Sequence, residues 1–159
     1  LLRDYVSCLD DFQTGLSLNP NEDTRKKLYM LKGDIYMYKN DIEKSIASYS
    51  EALAIDPTFY TEYIHRGQAY LKSKNHDKAI LDFTESLNYD TKSTGEGYYY
   101  RGLTRVDLVN TYNSDKSTRR SKKFIDDTQK LMLLACSDFE KAKSLKHREA
   151  FSAAKEYCD

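Results

Sequence analysis

The residues of this chain with potential for catalysis or metal binding are three histidines, three cysteines and a few acidic pairs. His65, His76 and His147 have no second His, Cys or carboxylate at a recurring zinc-ligand spacing. They read as surface histidines: one on a helix, one at an interhelix turn, one in a loop. Cys8, Cys136 and Cys158 are an odd, widely spaced set without CxxC. That pattern favours free thiols and leans toward a reducing, cytoplasmic setting. Asp10-Asp11 and Asp126-Asp127 read as solvated helix faces. No P-loop, dinucleotide fingerprint, HExxH or nucleophile elbow is present, and Gly95-Glu96-Gly97 follows no strand. The expectation is therefore no catalytic residue, no metal and no cofactor. The sharpest charge feature is DKSTRRSKK at 115–123, with Lys116, Arg119, Arg120, Lys122 and Lys123 against Asp115. It reads first as a solvated tip and second as a patch for an acidic partner. Nucleic acid is a poor third, because no aromatic interleaves these charges and 25 basic residues balance 25 acidic ones over the whole chain.

The elements that position these residues follow from a repeat. Gly33, Tyr36, Tyr49, Ala52 and Pro57 have counterparts 34 residues later in Gly67, Tyr70, Phe83, Ser86 and Thr91. A fixed period of that size signals a repeat architecture. Helical stripes run along 24–39 (Tyr29, Gly33, Tyr36) and 42–54 (Ile42, Ile46, Tyr49, Leu53), then along 58–73 and 76–89. Asn40-Asp41 and Lys74-Asn75 supply the turns. Glycine in mid-helix costs about 1 kcal/mol relative to Ala, so its recurrence implies two helices in close approach. Pro57 ends a helix that it cannot continue.

A third unit starts near Glu96, where Tyr98 and Gly102 match Tyr63 and Gly67. Its second helix comes late, as Ala135, Phe139 and Ala142, which implies a 21-residue insertion because Gly67 to Ala79 is 12 residues and Gly102 to Ala135 is 33. Either a disordered loop or two extended helices would absorb it. Apolar periodicity back from Ala135 through Met132, Leu131, Thr128 and Ile125 favours an extended hairpin with a disordered tip. Arg105 takes a position where tyrosine is expected, which puts the local packing in question. The first helix, over 5–17, carries Cys8, Phe12, Gly15 and Pro20 at the spacing of Ser45, Tyr49, Ala52 and Pro57. It reads as the second helix of a unit whose first is missing. Residues 147–158 close the chain as a helix with Ala150, Phe151, Ala154 and Tyr157 on one stripe.

This pattern resembles the tetratricopeptide repeat, a helix–turn–helix unit of about 34 residues. The resemblance implies an all-α solenoid of helix–turn–helix repeats in one domain over 1–159: a half unit at 1–22, repeats at 26–59, 60–93 and 95–146, the last carrying the insertion, and a capping helix at 147–159. It also implies a non-enzymatic scaffold that binds a peptide or protein segment in a concave groove lined by the first helices. Carried over position by position, the groove is Met30, Asp34, Met37, Ile64, His65, Gln68, Leu71, Glu96, Tyr99, Tyr100 and Leu103. The competing reading is that several of these pack between repeats, as most of the 14 tyrosines should.

One subfamily clamps the C-terminal carboxylate of heat-shock chaperones with Lys and Asn on the first unit, Asn on the second, and Lys and Arg on the third. Those positions here hold Met30, Asp34, His65, Glu96 and Tyr100. None matches, and Asp34 and Glu96 would repel a carboxylate. The expected partner is a protein or peptide with apolar anchors and some positive charge. Nucleic acid is not expected. Nor is a membrane span, since no run of about 18 apolar residues occurs. The alternative is self-association into a homo-oligomer within a larger protein.

Overall fold

The computed structural model describes residues 2–90, 92, 94–114 and 122–158; among 2–9 and 122–124 it describes the backbone only. Among the described residues every regular element is a helix. In order these are α1 (Leu2–Ser17), α2 (Glu22–Tyr38), α3 (Ile42–Ile55), α4 (Tyr60–Lys72), α5 (His76–Tyr89), α6 (Glu96–Ser114), α7 (Lys122–Ser144) and α8 (Arg148–Cys158). They pair as antiparallel hairpins α2/α3, α4/α5 and α6/α7, with α1 against α2 and α8 against α7. None of them is long and apolar enough to cross a membrane.

The turns inside the hairpins repeat atom for atom. Asn40 and Lys74 adopt left-handed backbone (φ 61° each), and Lys146 does the same (φ 64°) before α8. At each, the next residue's N–H reaches back five residues: Asp41 to the Tyr36 carbonyl, Asn75 to Tyr70 and His147 to Ala142, at 2.9–3.0 Å. These bonds satisfy helix-end carbonyls that would otherwise lack a partner. The second helices are then capped by Asp41 and Asn75, whose side chains accept from the Lys44 and Lys78 N–H groups at 3.4 Å.

Each hairpin closes on one glycine and one ring. A Cβ placed on Gly33 would lie 2.4 Å from the Tyr49 ring, one on Gly67 2.7 Å from Phe83, and one on Gly102 2.7 Å from Phe139. The three rings are fully buried, with Ala52, Ser86 and Ala142 beside them. Phe12 of α1 packs edge-on against Tyr29 at 5.6 Å.

A charged ladder crosses the same interface. Arg66 donates twice to Asp82, both bonds 2.8 Å, and once to Ser50 of the preceding hairpin at 3.0 Å. One repeat later Arg101 bonds Asp138 at 2.8 and 3.1 Å and Thr84 at 3.0 Å. Each arginine thus ties its own hairpin shut and also links it to the previous one. Arg105 joins the second rung, bonding Asp138 and the Leu134 carbonyl. The question raised by a missing tyrosine is settled there: a salt bridge replaces an aromatic contact. In the first hairpin the equivalent positions are Lys32 and Ser48, and Lys32 lies 4.6 Å above the Phe12 ring instead.

The link before α6 is held by Asp90, which accepts from the N–H groups of Lys92 and Thr94 and from the Thr94 hydroxyl at 2.9–3.0 Å. Gly95 is left-handed (φ 74°), and a Cβ on Gly97 would meet the Ser86 hydroxyl at 2.5 Å. Both glycines thus have packing roles, and Thr91 lies outside the described residues. Within the third unit α6 runs to Ser114 and α7 starts at Lys122.

The cysteine expectation is corrected. Cys136 and Cys158 are joined as a disulfide between α7 and the end of α8. The histidine expectation is corrected too. His76 is only 7% exposed and its Nε2 sits 2.6 Å from Asp107. His65 lies against the Tyr49 ring and His147 stacks on Tyr99 at 4.5 Å. His76 and His147 are covered because the neighbouring hairpin, or α8, packs over the turn that carries each, whereas the His65 side chain stays 36% exposed.

Candidate functional site

Of the first helices, α4 packs beside α6, and Asp34 of α2 approaches His65 of α4 at 3.6 Å. At one end Leu31 and Tyr38 of α2 are 51% and 71% exposed. Two turns of helix separate them, so they share a face. Met30 and Met37 are half-buried beside them, and the Ser45 hydroxyl approaches the Met37 sulfur at 3.9 Å. In the middle, His65, Gln68 and Leu71 of α4 are half-buried. Ile64 is not available to a ligand. It is 1% exposed and packs in the core with Ala79 and Phe83, so its place in a groove is corrected to a core role.

At the far end Leu71, Lys72 and Lys74 face Leu103, Val106, Asp107, Asn110 and Tyr157 across a cavity of about 450 Å³. Its floor is apolar and its rim is charged. Lys74 is held by Asp107 at 2.9 Å, and that bond, with His76, keeps the Asp107 carboxyl below the usual carboxylate range despite partial burial, which acts the other way. Tyr100 stacks on Phe83 at 5.6 Å and Tyr99 on His147, so both rings are partly committed to packing. Glu96 opens α6 and is half-buried. Of the basic tip, Lys116, Arg119 and Arg120 lie outside the described residues, and Lys122 and Lys123 begin α7.

A polar group sits beneath the α2–α4 part of this face. The Tyr49 hydroxyl donates to Asp34 at 2.8 Å, and Asp34 is 3.6 Å from the His65 Nδ1. Burial raises the Tyr49 pKa, and the bond to Asp34 adds to it. Glu62 is fully buried on the same helix as His65. One carboxyl oxygen accepts from Thr61 at 2.8 Å, whereas Oε1 has no hydrogen-bond partner. Burial, with a smaller push from Asp34, raises the Glu62 carboxyl to about 7 against the opposing Thr61 bond.

The sign of the resulting pH dependence is fixed. A carboxyl that holds its proton more tightly when folded adds stability below pH 4.5, the ordinary value, and loses it as pH rises to about 7. A difference in proton affinity of that size between the folded and unfolded chain corresponds to about 3 kcal/mol. Glu62→Gln, which mimics the protonated form, should melt higher than the wild type at pH 8. The gap should close at pH 4, as read by thermal denaturation at the two pH values.

Among the described residues no group of three His, Cys, Asp or Glu side chains is placed to hold a metal. Sequence reading missed the Arg66–Asp82 and Arg101–Asp138 rungs, although the signal was in the chain: Arg-Gly at 66–67 and 101–102, and Asp-Phe at 82–83 and 138–139.

Comparison with known proteins agrees with the hairpin repeat. A family model described as TPR repeat matches residues 33–74, and one described as tetratricopeptide repeat matches 63–93. The DnaJ homolog subfamily C member 7 homolog of Dictyostelium discoideum is 27% identical over 57% of this chain and 17% of its own length. Serine/threonine-protein phosphatase 5 of Rattus norvegicus is 32% identical over 56% of this chain and 18% of its own. The chain therefore spans under a fifth of these relatives. Among solved structures, the Arabidopsis OM64 TPR domain superposes with a TM-score of 0.67 at 21% identity, covering 87% of this chain and 98% of that one. The first TPR of Spaghetti (RPAP3), bound to an HSP90 peptide, gives 0.64 at 19% identity over 83% of this chain and 89% of that one. The chain therefore carries tetratricopeptide repeats across 33–93, set in a solenoid of hairpins with the fold of solved TPR domains.

Proposed function

We propose that this chain is a protein-interaction module that binds a peptide or protein segment along the face of α2, α4 and α6. The observation that carries this is the distribution of apolar surface on that face. Exposed Leu31 and Tyr38 stand at one end, and the cavity between Leu71 and Leu103 lies at the other. Solenoids use such extended faces for binding. Methionine and tyrosine on it suit adaptable apolar recognition. The RPAP3 domain bound to an HSP90 peptide and a second RPAP3 domain in complex with an HSP70 peptide show that solenoids of this fold take short peptides. The ligand of this chain is expected to differ, because Asp34, half-exposed and acidic, stands where the clamp requires a base or an amide. The favoured ligand places apolar side chains against Leu31, Tyr38, Leu71 and Leu103 and offers a basic group to Asp34. The role is recognition; the chain contributes no catalytic step.

The test uses a peptide selected against the whole chain from a random display library. Leu31→Asp combined with Leu71→Asp should weaken its binding at least about tenfold, equivalent to about 1.4 kcal/mol. Circular dichroism should stay helical, because Leu31 is exposed and Leu71 half-buried. Unchanged affinity in that variant would place the site elsewhere.

A further inference from the structure

We infer that the Cys136–Cys158 disulfide is a redox latch that sets how much of the binding face is open; this rests on the proposed reading of that face as the site. The disulfide joins α7 to the final residue of α8 and closes a loop with a sequence separation of 22. Apart from the cross-link, α8 is held through small side chains and one ring at the edge of the core of α6 and α7. Its buried side chains are Ala150, Ala153 and Ala154, which contribute little apolar area each, and Phe151 is 55% exposed. Among the described residues its large inward side chain is Tyr157, whose ring stacks on Phe139 at 6.1 Å. It lies one residue before the disulfide, so the cross-link fixes the turn that carries it.

Tyr157 occupies a dividing position. On one side it lines the cavity of about 450 Å³ with Leu71, Leu103 and Val106. On the other it lines a second cavity of about 490 Å³ with Val109, Met132, Leu133 and both cysteines. This second cavity exists because the insertion extends α6 and α7 past the end of α8. Tyr157 is therefore the wall between the binding face and an apolar pocket on the long hairpin. Cys158 is exposed and Cys136 is partly exposed on the wall of the second cavity, so a small reductant can reach the bond.

The step is thiol–disulfide exchange with a dithiol reductant. A thiolate of the reductant attacks one sulfur, the S–S bond breaks, and a mixed disulfide forms. The second reductant thiol resolves it. Cys136 and Cys158 gain two electrons and two protons and leave as thiols, and the reductant leaves as a disulfide. Without the cross-link the last turn of α8 frays, Tyr157 leaves Phe139, and the two cavities join into one longer apolar trough. Reduction opens the site and oxidation divides it.

Two readings of the intact chain, with and without dithiothreitol, test this. In hydrogen exchange, amides of the last turn of α8 should exchange at least about tenfold faster when reduced, while the α4/α5 hairpin is unchanged. The Cys136→Ser, Cys158→Ser variant should behave like the reduced wild type without added dithiol. Fluorescence of bound 1-anilinonaphthalene-8-sulfonate should rise about twofold on reduction, and Tyr157→Ala should give the same rise while still oxidised. Equal exchange in the two redox states overturns the latch, as does faster exchange with no change in dye binding. Neither reading uses a peptide. A latch that works while Leu31→Asp with Leu71→Asp leaves peptide binding intact would count against the proposed site alone.

Discussion

Replacing Arg66 with alanine should destabilise the fold by about 3–5 kcal/mol, the range for removing one partner of a buried ion pair. The loss comes less from the missing attraction than from what is left behind. The Asp82 side chain is only 4% exposed and accepts both bonds from that guanidinium. The variant also loses the link to Ser50 in the preceding hairpin, so neighbouring hairpins should uncouple. Removing both charges with apolar residues of similar volume, Arg66→Met with Asp82→Leu, should restore most of the stability, since no charge is then stranded. Lys32→Ala, at the equivalent position without an aspartate opposite, should cost under about 1 kcal/mol. Urea denaturation of the four proteins checks this. A cost for Arg66→Ala no larger than for Lys32→Ala would show that Asp82 escapes to water when its partner goes.

Gly67→Leu should prevent the α4/α5 hairpin from closing, with an effect beyond the roughly 1–3 kcal/mol of ordinary overpacking. Even the first carbon of the new side chain would sit 2.7 Å from the Phe83 ring, and that ring is fully buried with nowhere to turn. Because the leucine variant is expected not to fold, Gly67→Ala gives the quantitative reading. In an exposed helix the change from glycine to alanine stabilises by about 1 kcal/mol. Here the sign should reverse, and Phe83→Leu in the same chain should return part of the loss by vacating the space. A higher melting temperature for Gly67→Ala would mean that the two helices do not touch at this glycine.

The parts of this architecture legible in sequence are those fixed by local spacing. Glycine, ring and small residue recur at one period, and the hairpin geometry follows because only glycine lets the ring of the second helix lie against the first. What escaped depends on contacts between hairpins. The Arg–Asp rungs occur in the second and third units but not in the first, where Lys32 and Ser48 stand, so a reading anchored on the first unit passes over them. Ile64 belongs by register to the ligand face, yet the lean of α4 against α5 seats it on Phe83. The cysteine pair is unreadable at its separation because it depends on the left-handed turn at Lys146 folding α8 back along α7. His76 and His147 followed the same course: composition assigns them to the surface, and adjacent elements cover them, while His65 keeps a partly exposed ring. The groove was legible as a set of helix positions, but which side chains stay exposed, Leu31 and Tyr38 above all, emerges only once neighbouring helices are in place.

The most direct test of the proposed function is to titrate a library-selected peptide into the isotopically labelled chain and map the perturbed amides and methyl groups. Binding along the face of the first helices predicts that perturbations concentrate at Leu31, Tyr38, Gln68, Leu71 and Leu103. Leu81 and Leu134, exposed on the second helices α5 and α7, should stay unmoved. Perturbations centred on Leu81 and Leu134, with Leu31 and Leu71 silent, would contradict it.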